Sequence, residues 1–330
     1  MLVHFIHRRL STQIPKELLE HNLPSMALIA PAQTFTLPDQ RVLSYAIYGS
    51  PDAKAVVFYH HGFPSSRDEA LLYHEAAQRH NIRLISPDRP GMGLSTYQSN
   101  RCLLDWPSDL LKLADHLGIE KFAVLGVSGG SPYTLACWHQ LPRSRCIGAG
   151  IASGLYPASL GLDGMMLGGR VLLYLGAWSP WLVGAGLNFG VGITAQNPER
   201  LHKLMNQDFQ SRPAPDRDVW NADRNHVQEA MKHSLKECFR NGGQGAGWEA
   251  KLFGSDWGFK LEEISIQPGR VLLWHGSDDV NCPLKLAEKG SQLLTGAELR
   301  VAEGECHLSL LIRKENEIME SLSKMLSTEG

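Results

Sequence analysis

From residue 34 onward, short apolar runs rich in β-formers alternate with longer stretches whose apolar positions recur every three or four residues. That rhythm predicts a mostly parallel sheet with helices on both faces. TFTL (34–37) and VLSYAIYG (42–49) flank the turn-forming PDQ and read as an opening antiparallel hairpin. AVVFYH (55–60) is apolar almost throughout, as a strand buried on both faces requires. IRLISP (82–87), FAVLGV (122–127), CIGAGIA (146–152), RVLLWHG (270–276) and ELRVAEG (298–304) continue the series, with helices expected over 67–80, 105–117, 129–141, 284–295 and 309–326.

Between about 156 and 262 the alternation stops. Residues 171–194 carry no charge and are long enough to span a bilayer, but Ser179 and Pro180 interrupt the middle and five glycines dilute it. Two short apolar helices meeting at a Ser-Pro turn are therefore expected, making at most shallow contact with a membrane surface. A polar helical region (198–240) and the glycine-rich NGGQGAG (241–247) follow. The division that results is an N-terminal extension (1–33), a core from 34–155 and 263–330, and an inserted helical cap over 156–262. Apolar residues of the cap, Trp178, Trp181, Leu182 and Phe189, suggest a hydrophobic or medium-sized substrate.

Composition narrows the function classes. A chain of 330 residues with 20% charged residues and a formal net charge of −2 has no basic run to track phosphates. No nucleic-acid partner is expected. Cys102, Cys137, Cys146, Cys238, Cys282 and Cys306 show no metal-ligand spacing, so reduced thiols and neither metal nor cofactor are expected. Cys306 adjoins a histidine, which could ionise it, though a packing role is the simpler reading. The first residues place an apolar stretch before Arg8 and Arg9, the wrong order for a secretory signal, and Glu17 and Glu20 argue against a mitochondrial presequence. The C-terminal LSTEG matches no targeting signal. A cytoplasmic location is the expectation.

The chemistry sits at the C-terminal ends of predicted strands, where open parallel sheets place their sites. Gly126, Ser128 and Gly130 form Gly-x-Ser-x-Gly between FAVLGV and a helix. This context marks a nucleophile elbow, a strained turn that exposes the serine hydroxyl. A hydroxyl needs a base, and among fourteen histidines His307 follows the last strand in GECHLS. The imidazole in turn needs a carboxylate; HGSDDVNCP offers Asp278 and Asp279, with Asp279 favoured by its place in the loop and Asp278 left to cap it. Oxyanion donors are expected from the backbone N–H groups of Phe63, in HHGFP, and Gly129. His60 and His61 are read as structural.

HHGFPSSR, SPDRPGMGLS, GVSGG, HGSDDVNCP and GECHLSLL, in that order, resemble the signature segments of the α/β hydrolase superfamily, over most of residues 34–326. WEAKLFGSDWGFKLEEI (248–264) is similar to the link between cap and acid strand in esterase-like and lipase-like members. The resemblance implies an α/β hydrolase fold, Ser128, Asp279 and His307 as a triad, Phe63 and Gly129 as oxyanion donors, and structural roles for Asp88 and Arg89. Cys306 stands where glycine is commoner. The activity implied is cofactor-independent hydrolysis of a small ester, thioester or related acyl substrate. Carbon–carbon bond hydrolysis, a lyase or acyl-transfer step, and ligand binding without turnover remain as alternatives, and a peptide bond stays open. Epoxide hydrolases and dehalogenases would need an aspartate in place of Ser128.

Overall fold

The computed structural model describes residues 29–327; most of the expected N-terminal extension and the last three residues lie outside them. Eight strands form one sheet: β1 (Gln33–Thr36), β2 (Val42–Gly49), β3 (Ala55–His60), β4 (Ile82–Pro87), β5 (Phe122–Val127), β6 (Cys146–Ala152), β7 (Val271–Gly276) and β8 (Glu298–Ala302). Their order is β1-β2-β4-β3-β5-β6-β7-β8. The β1–β2 and β2–β4 pairs are antiparallel and every other pair is parallel. This is the α/β hydrolase fold.

Strand pleat sends alternate residues into two cores. Phe58, Val124, Ile151 and Leu273 face one side, packed with α2 (Trp106–His116), α3 (Ser131–Gln140) and α11 (Leu284–Leu293). Val57, Tyr59, Leu125 and Leu272 face the other, with α1 (His74–Arg79), α12 (His307–Arg313) and α13 (Glu315–Ser327). Burial on both faces explains why these strands read as continuous apolar runs.

Two helices differ from the pattern's expectation. The first turns of 67–80 are a 3-10 helix, Arg67–Tyr73, before α1 begins. Every residue of it is buried, so no polar face remains to set a 3.6-residue period; Asp68 accepts from the Tyr48 hydroxyl and Glu69 from the Gly62 N–H. The expected helix over 309–326 is two, α12 and α13, because Lys314 leaves helical geometry at φ −106° and ψ 4°.

Between β6 and β7 the chain is helical: α4 (Leu167–Trp178), α5 (Pro180–Leu187), α6 (Ile193–Ala195), α7 (Pro198–Gln210), α8 (Ala214–Ala222), α9 (Val227–Cys238) and α10 (Gln244–Gly254). Pro180 starts α5 after the non-helical Ser179, the turn that the sequence implied. Among the described residues no helix is long and apolar enough to cross a membrane. The glycine-rich stretch lets α10 press backbone to backbone on its neighbours: a Cβ on Gly247 would lie 2.1 Å from the Pro180 carbonyl, and one on Gly243 would lie 1.9 Å from that of Gly184.

The outer and inner faces of α4 correct one expectation. Trp178, Trp181 and Phe189 are 91%, 74% and 81% exposed, and Leu182 is exposed as well. None of them reaches the site. Gly176 lies against α10, leaving room for no side chain there, and this contact turns Leu172 and Leu173 inward and Val171, Tyr174 and Trp178 outward, as a period of 3.6 demands.

Candidate active site

Ser128 follows the last residue of β5 and has φ +50°, in the left-handed region that side chains rarely occupy. The flanking glycines make the turn possible by close approach. A Cβ on Gly126 would meet Thr134 Oγ1 at 2.4 Å and one on Gly130 the His60 carbonyl oxygen at 1.9 Å, so the elbow is wedged against the end of β3. A Cβ on Gly129 would stand 2.8 Å from that of Phe63. The two residues expected to supply oxyanion amides thus sit side by side next to Ser128.

Charged side chains hold the loop that carries Phe63. Glu69, buried, accepts the Gly62 N–H at 3.0 Å, together with the hydroxyls of Tyr59 and Ser65. The fully buried Arg89 donates to the carbonyl oxygens of His61 and Gly62. Asp88 binds Arg67 and the Ser44 hydroxyl. His60 and His61 are structural as well. His60 accepts from the Trp106 indole and pairs with Thr134, and burial, with the Arg89 charge, pulls it down to about 3. His61 is held neutral by the same causes.

His307 starts α12, and its Nδ1 lies 2.7 Å from Asp279 Oδ2. An ionised carboxylate only accepts, so Nδ1 carries the proton and Nε2 presents its lone pair. Burial pulls the His307 pKa down, but the Asp279 charge and hydrogen bond, with help from Asp216, outweigh it and raise it. Burial conversely pushes the Asp279 carboxyl up, and the neighbouring imidazole outweighs this and holds it below its usual value. Asp279 Oδ1 also accepts the N–H groups of Asn281 and Cys282, at 2.8 and 2.9 Å. So Asp279 closes the loop itself, a task the sequence left to Asp278. Asp278 is exposed and takes only the Ser277 hydroxyl.

Ser128 and His307 line one cavity of about 270 Å³, with Phe63, Gly129, Leu155, Phe253 and Cys282 from the core side and from α10. From the inserted helices and their connections come Met165, Met166, Leu172, Leu173 and Arg212. The Cys282 thiol lines the same cavity as Ser128, and burial pushes it well above its usual value. All six cysteines are free, and burial pushes the Cys306 thiol up to about 12, so it is not an ionised partner of His307. Among the described residues no cluster could hold a metal ion.

Sequence spacing could not reveal several contributors. Glu69 lies within an apolar helical pattern, Glu249 is 160 residues from the Arg89 that it binds, and Asp216 is 92 residues from the Leu308 N–H that it accepts. No motif links them. Asp88 and Arg89 of SPDRPG, given structural roles by the resemblance, pointed towards this network.

The chain belongs to the alpha/beta hydrolase family, whose profile matches residues 57–311. Hydrolase is the general class of enzyme that this membership gives it. A curated relative, described as a probable proline iminopeptidase from Leptolyngbya boryana, is 34% identical over 125 residues; the match covers 36% of this chain and 38% of the relative. Among solved structures, an esterase from Exiguobacterium antarcticum is 17% identical with a TM-score of 0.60, over 89% of this chain and 98% of that one. An enol-lactonase from Burkholderia xenovorans is 14% identical with a TM-score of 0.61, over 89% and 100%. At these identities the two structures share the fold.

Proposed function

We propose that this protein is a serine hydrolase that cleaves an ester, thioester or related acyl bond of a small apolar molecule through an acyl-enzyme. One observation carries the reading: Ser128, strained at φ +50°, opens into the same cavity as a His307 oriented by Asp279. His307 Nε2 takes the Ser128 proton as Oγ bonds to the substrate carbonyl carbon. The Phe63 and Gly129 amides receive the resulting oxyanion. His307 returns the proton to the leaving alkoxide or thiolate as the bond to the acyl carbon breaks. It then takes a proton from water, whose oxygen attacks the acyl carbon, and gives it to Ser128 Oγ as the carboxylic acid departs.

In this reading residues 156–262 act as a cap, and Met165, Leu172 and Leu173 with Phe253 favour an apolar acyl group. The outward face with Trp178 and Trp181 supports shallow contact with a lipid surface. A fluorophosphonate probe should label the wild type and leave Ser128→Ala unlabelled, and a series of nitrophenyl esters then reads the preferred chain length. A wild type that neither labels nor cleaves any ester of the series sinks the reading.

Amide cleavage is the second reading, favoured by the 34% identity to a probable proline iminopeptidase. An N-terminal ammonium would need a carboxylate facing it. Glu69, which lines the cavity, is already taken by Gly62, Tyr59 and Ser65, and this favours the uncharged acyl substrate. Comparing kcat/KM on a prolyl arylamide and on an acyl ester of equal size decides between them.

A further inference from the structure

The inserted helices do more than cover the cavity. Asp216, on α8, is 1% exposed, and its Oδ1 accepts the N–H groups of Leu308 and Ser309, each at 2.9 Å. These are two of the free N–H donors in the first turn of α12, the helix that begins with His307. The residue before it, Cys306, offers only a weak thiol acceptor. At the other end of the insertion, Glu249 on α10 is fully buried and accepts from Arg89 Nε at 2.7 Å, from Arg101 and from the Tyr133 hydroxyl. The same Arg89 guanidinium donates to the His61 and Gly62 carbonyls, immediately before Phe63. Phe253, one turn along α10, packs edge-on against Phe63 at 5.5 Å.

We infer that the insertion is a positioning element of the reaction centre: Asp216 fixes the helix that carries His307, and Glu249, through Arg89, fixes the loop that presents the Phe63 amide. Neither carboxylate touches substrate, and both act through another residue. This rests on the reading of Ser128, His307 and Asp279 given above. An insertion anchored this way does not swing off as a rigid lid, since opening α8 or α10 would strip a buried carboxylate from its partners and disassemble the base and the oxyanion site together.

Asp216 also leaves an electrostatic signature. The groups facing His307 are Asp279 from the loop after β7, His275 from the end of β7, Arg212 from the turn before α8, and Asp216 from α8; Cys306 adjoins it on its own element. Asp279 and Asp216 favour the imidazolium, Arg212 disfavours it, and His275 and Cys306 are held neutral by burial. Asp216→Asn keeps an oxygen for the two N–H groups and removes the charge. The acid limb of kcat/KM against pH should therefore move to lower pH while the plateau stays within a few-fold of wild type. Asp216→Ala loses the acceptor too, so its plateau should fall as well. Asp218→Asn, an exposed carboxylate on the same helix, is the control and should leave the limb in place.

For Glu249, Glu249→Gln should lower kcat by about ten-fold or more with KM little changed, and weaken binding of a trifluoromethyl ketone that forms the tetrahedral adduct in proportion. Should that variant not fold, Glu249→Asp keeps a carboxylate opposite the buried Arg101 while drawing it back from Arg89 by one methylene, and should show a loss of kcat in the same direction in a folded protein. A limb unmoved by Asp216→Asn, or moved equally by Asp218→Asn, overturns the role of Asp216. Wild-type kcat in a folded Glu249 variant overturns the role of Glu249. Ser128→Ala is measured alongside. Turnover that survives it overturns the underlying reading, whereas turnover lost with an unmoved limb and an unchanged kcat in the variants overturns the positioning role alone.

Discussion

Asp279 places one oxygen 2.7 Å from His307 Nδ1 and closes its own loop with the other, accepting from Asn281 and Cys282. Its neighbour Asp278 is exposed and faces away. Two adjacent carboxylates on one turn therefore have different work, and replacement separates them. Asp279→Asn should lower kcat/KM on a nitrophenyl ester by about three to four orders of magnitude through the wrong tautomer, and Asp278→Asn should leave it within a few-fold. The reverse result would reassign the acid.

The same pair sets the pH profile. A base must be neutral, and Asp279 raises the His307 pKa above the ordinary 6.5, so the acid limb of kcat/KM should lie above that value. Stability runs the other way. The raised imidazole contributes stability that is full below 6.5 and lost as pH rises through the folded-state value, and the lowered Asp279 carboxyl contributes stability that is present above 3.8 and lost as pH falls through its depressed value. Thermal melts and rate profiles over the same pH range should therefore peak apart. A limb at or below 6.5 contradicts the arrangement.

Gly130 has an ordinary negative φ of −81°, so its need is for space. A Cβ there would lie 1.9 Å from the His60 backbone oxygen, and backbone cannot rotate away. Gly130→Ala should destabilise the protein by about 3 kcal/mol in denaturant titration, with loss of fluorophosphonate labelling in whatever remains folded. A full-length gain or no change in midpoint would show that β3 can yield.

The two faces of α4 make opposite predictions. Leu172→Ala enlarges the cavity and should move the preferred ester towards longer acyl chains, read as kcat/KM across the chain-length series. Trp178→Ser, on the outward face, should leave kcat/KM on soluble short-chain esters unchanged. A loss of activity there would mean that the indole reaches substrate, which its 91% exposure denies.

Much of this was legible in the chain. Every strand appears within a few residues of its expected run; the inner strands β3, β5, β6 and β7 are buried on both faces, which permits few polar residues and so announces them in one dimension, whereas the edge strands β1 and β8 are largely exposed. Ser128 was equally legible, because an elbow needs its glycines in immediate sequence to let β5 turn against β3. His307 and the acid loop were found by order along the chain, though the choice of oxygen at Asp278 and Asp279 was a matter of which side chain the turn directs inward.

What the sequence determined by itself was local: period, turn chemistry and the strained turn at Ser128, each fixed by residues a few positions apart. What only the tertiary structure decided was everything joined across the fold. Glu249 finds Arg89, and Asp216 finds the first turn of α12, through segments that share no spacing rule. Trp178 and Phe189 look like pocket walls in the sequence, yet they face outward because Gly176 and Gly184 give the contact face to α10. Hydrophobicity says that a side chain prefers burial, but which face of a helix is buried depends on where its neighbour's backbone arrives.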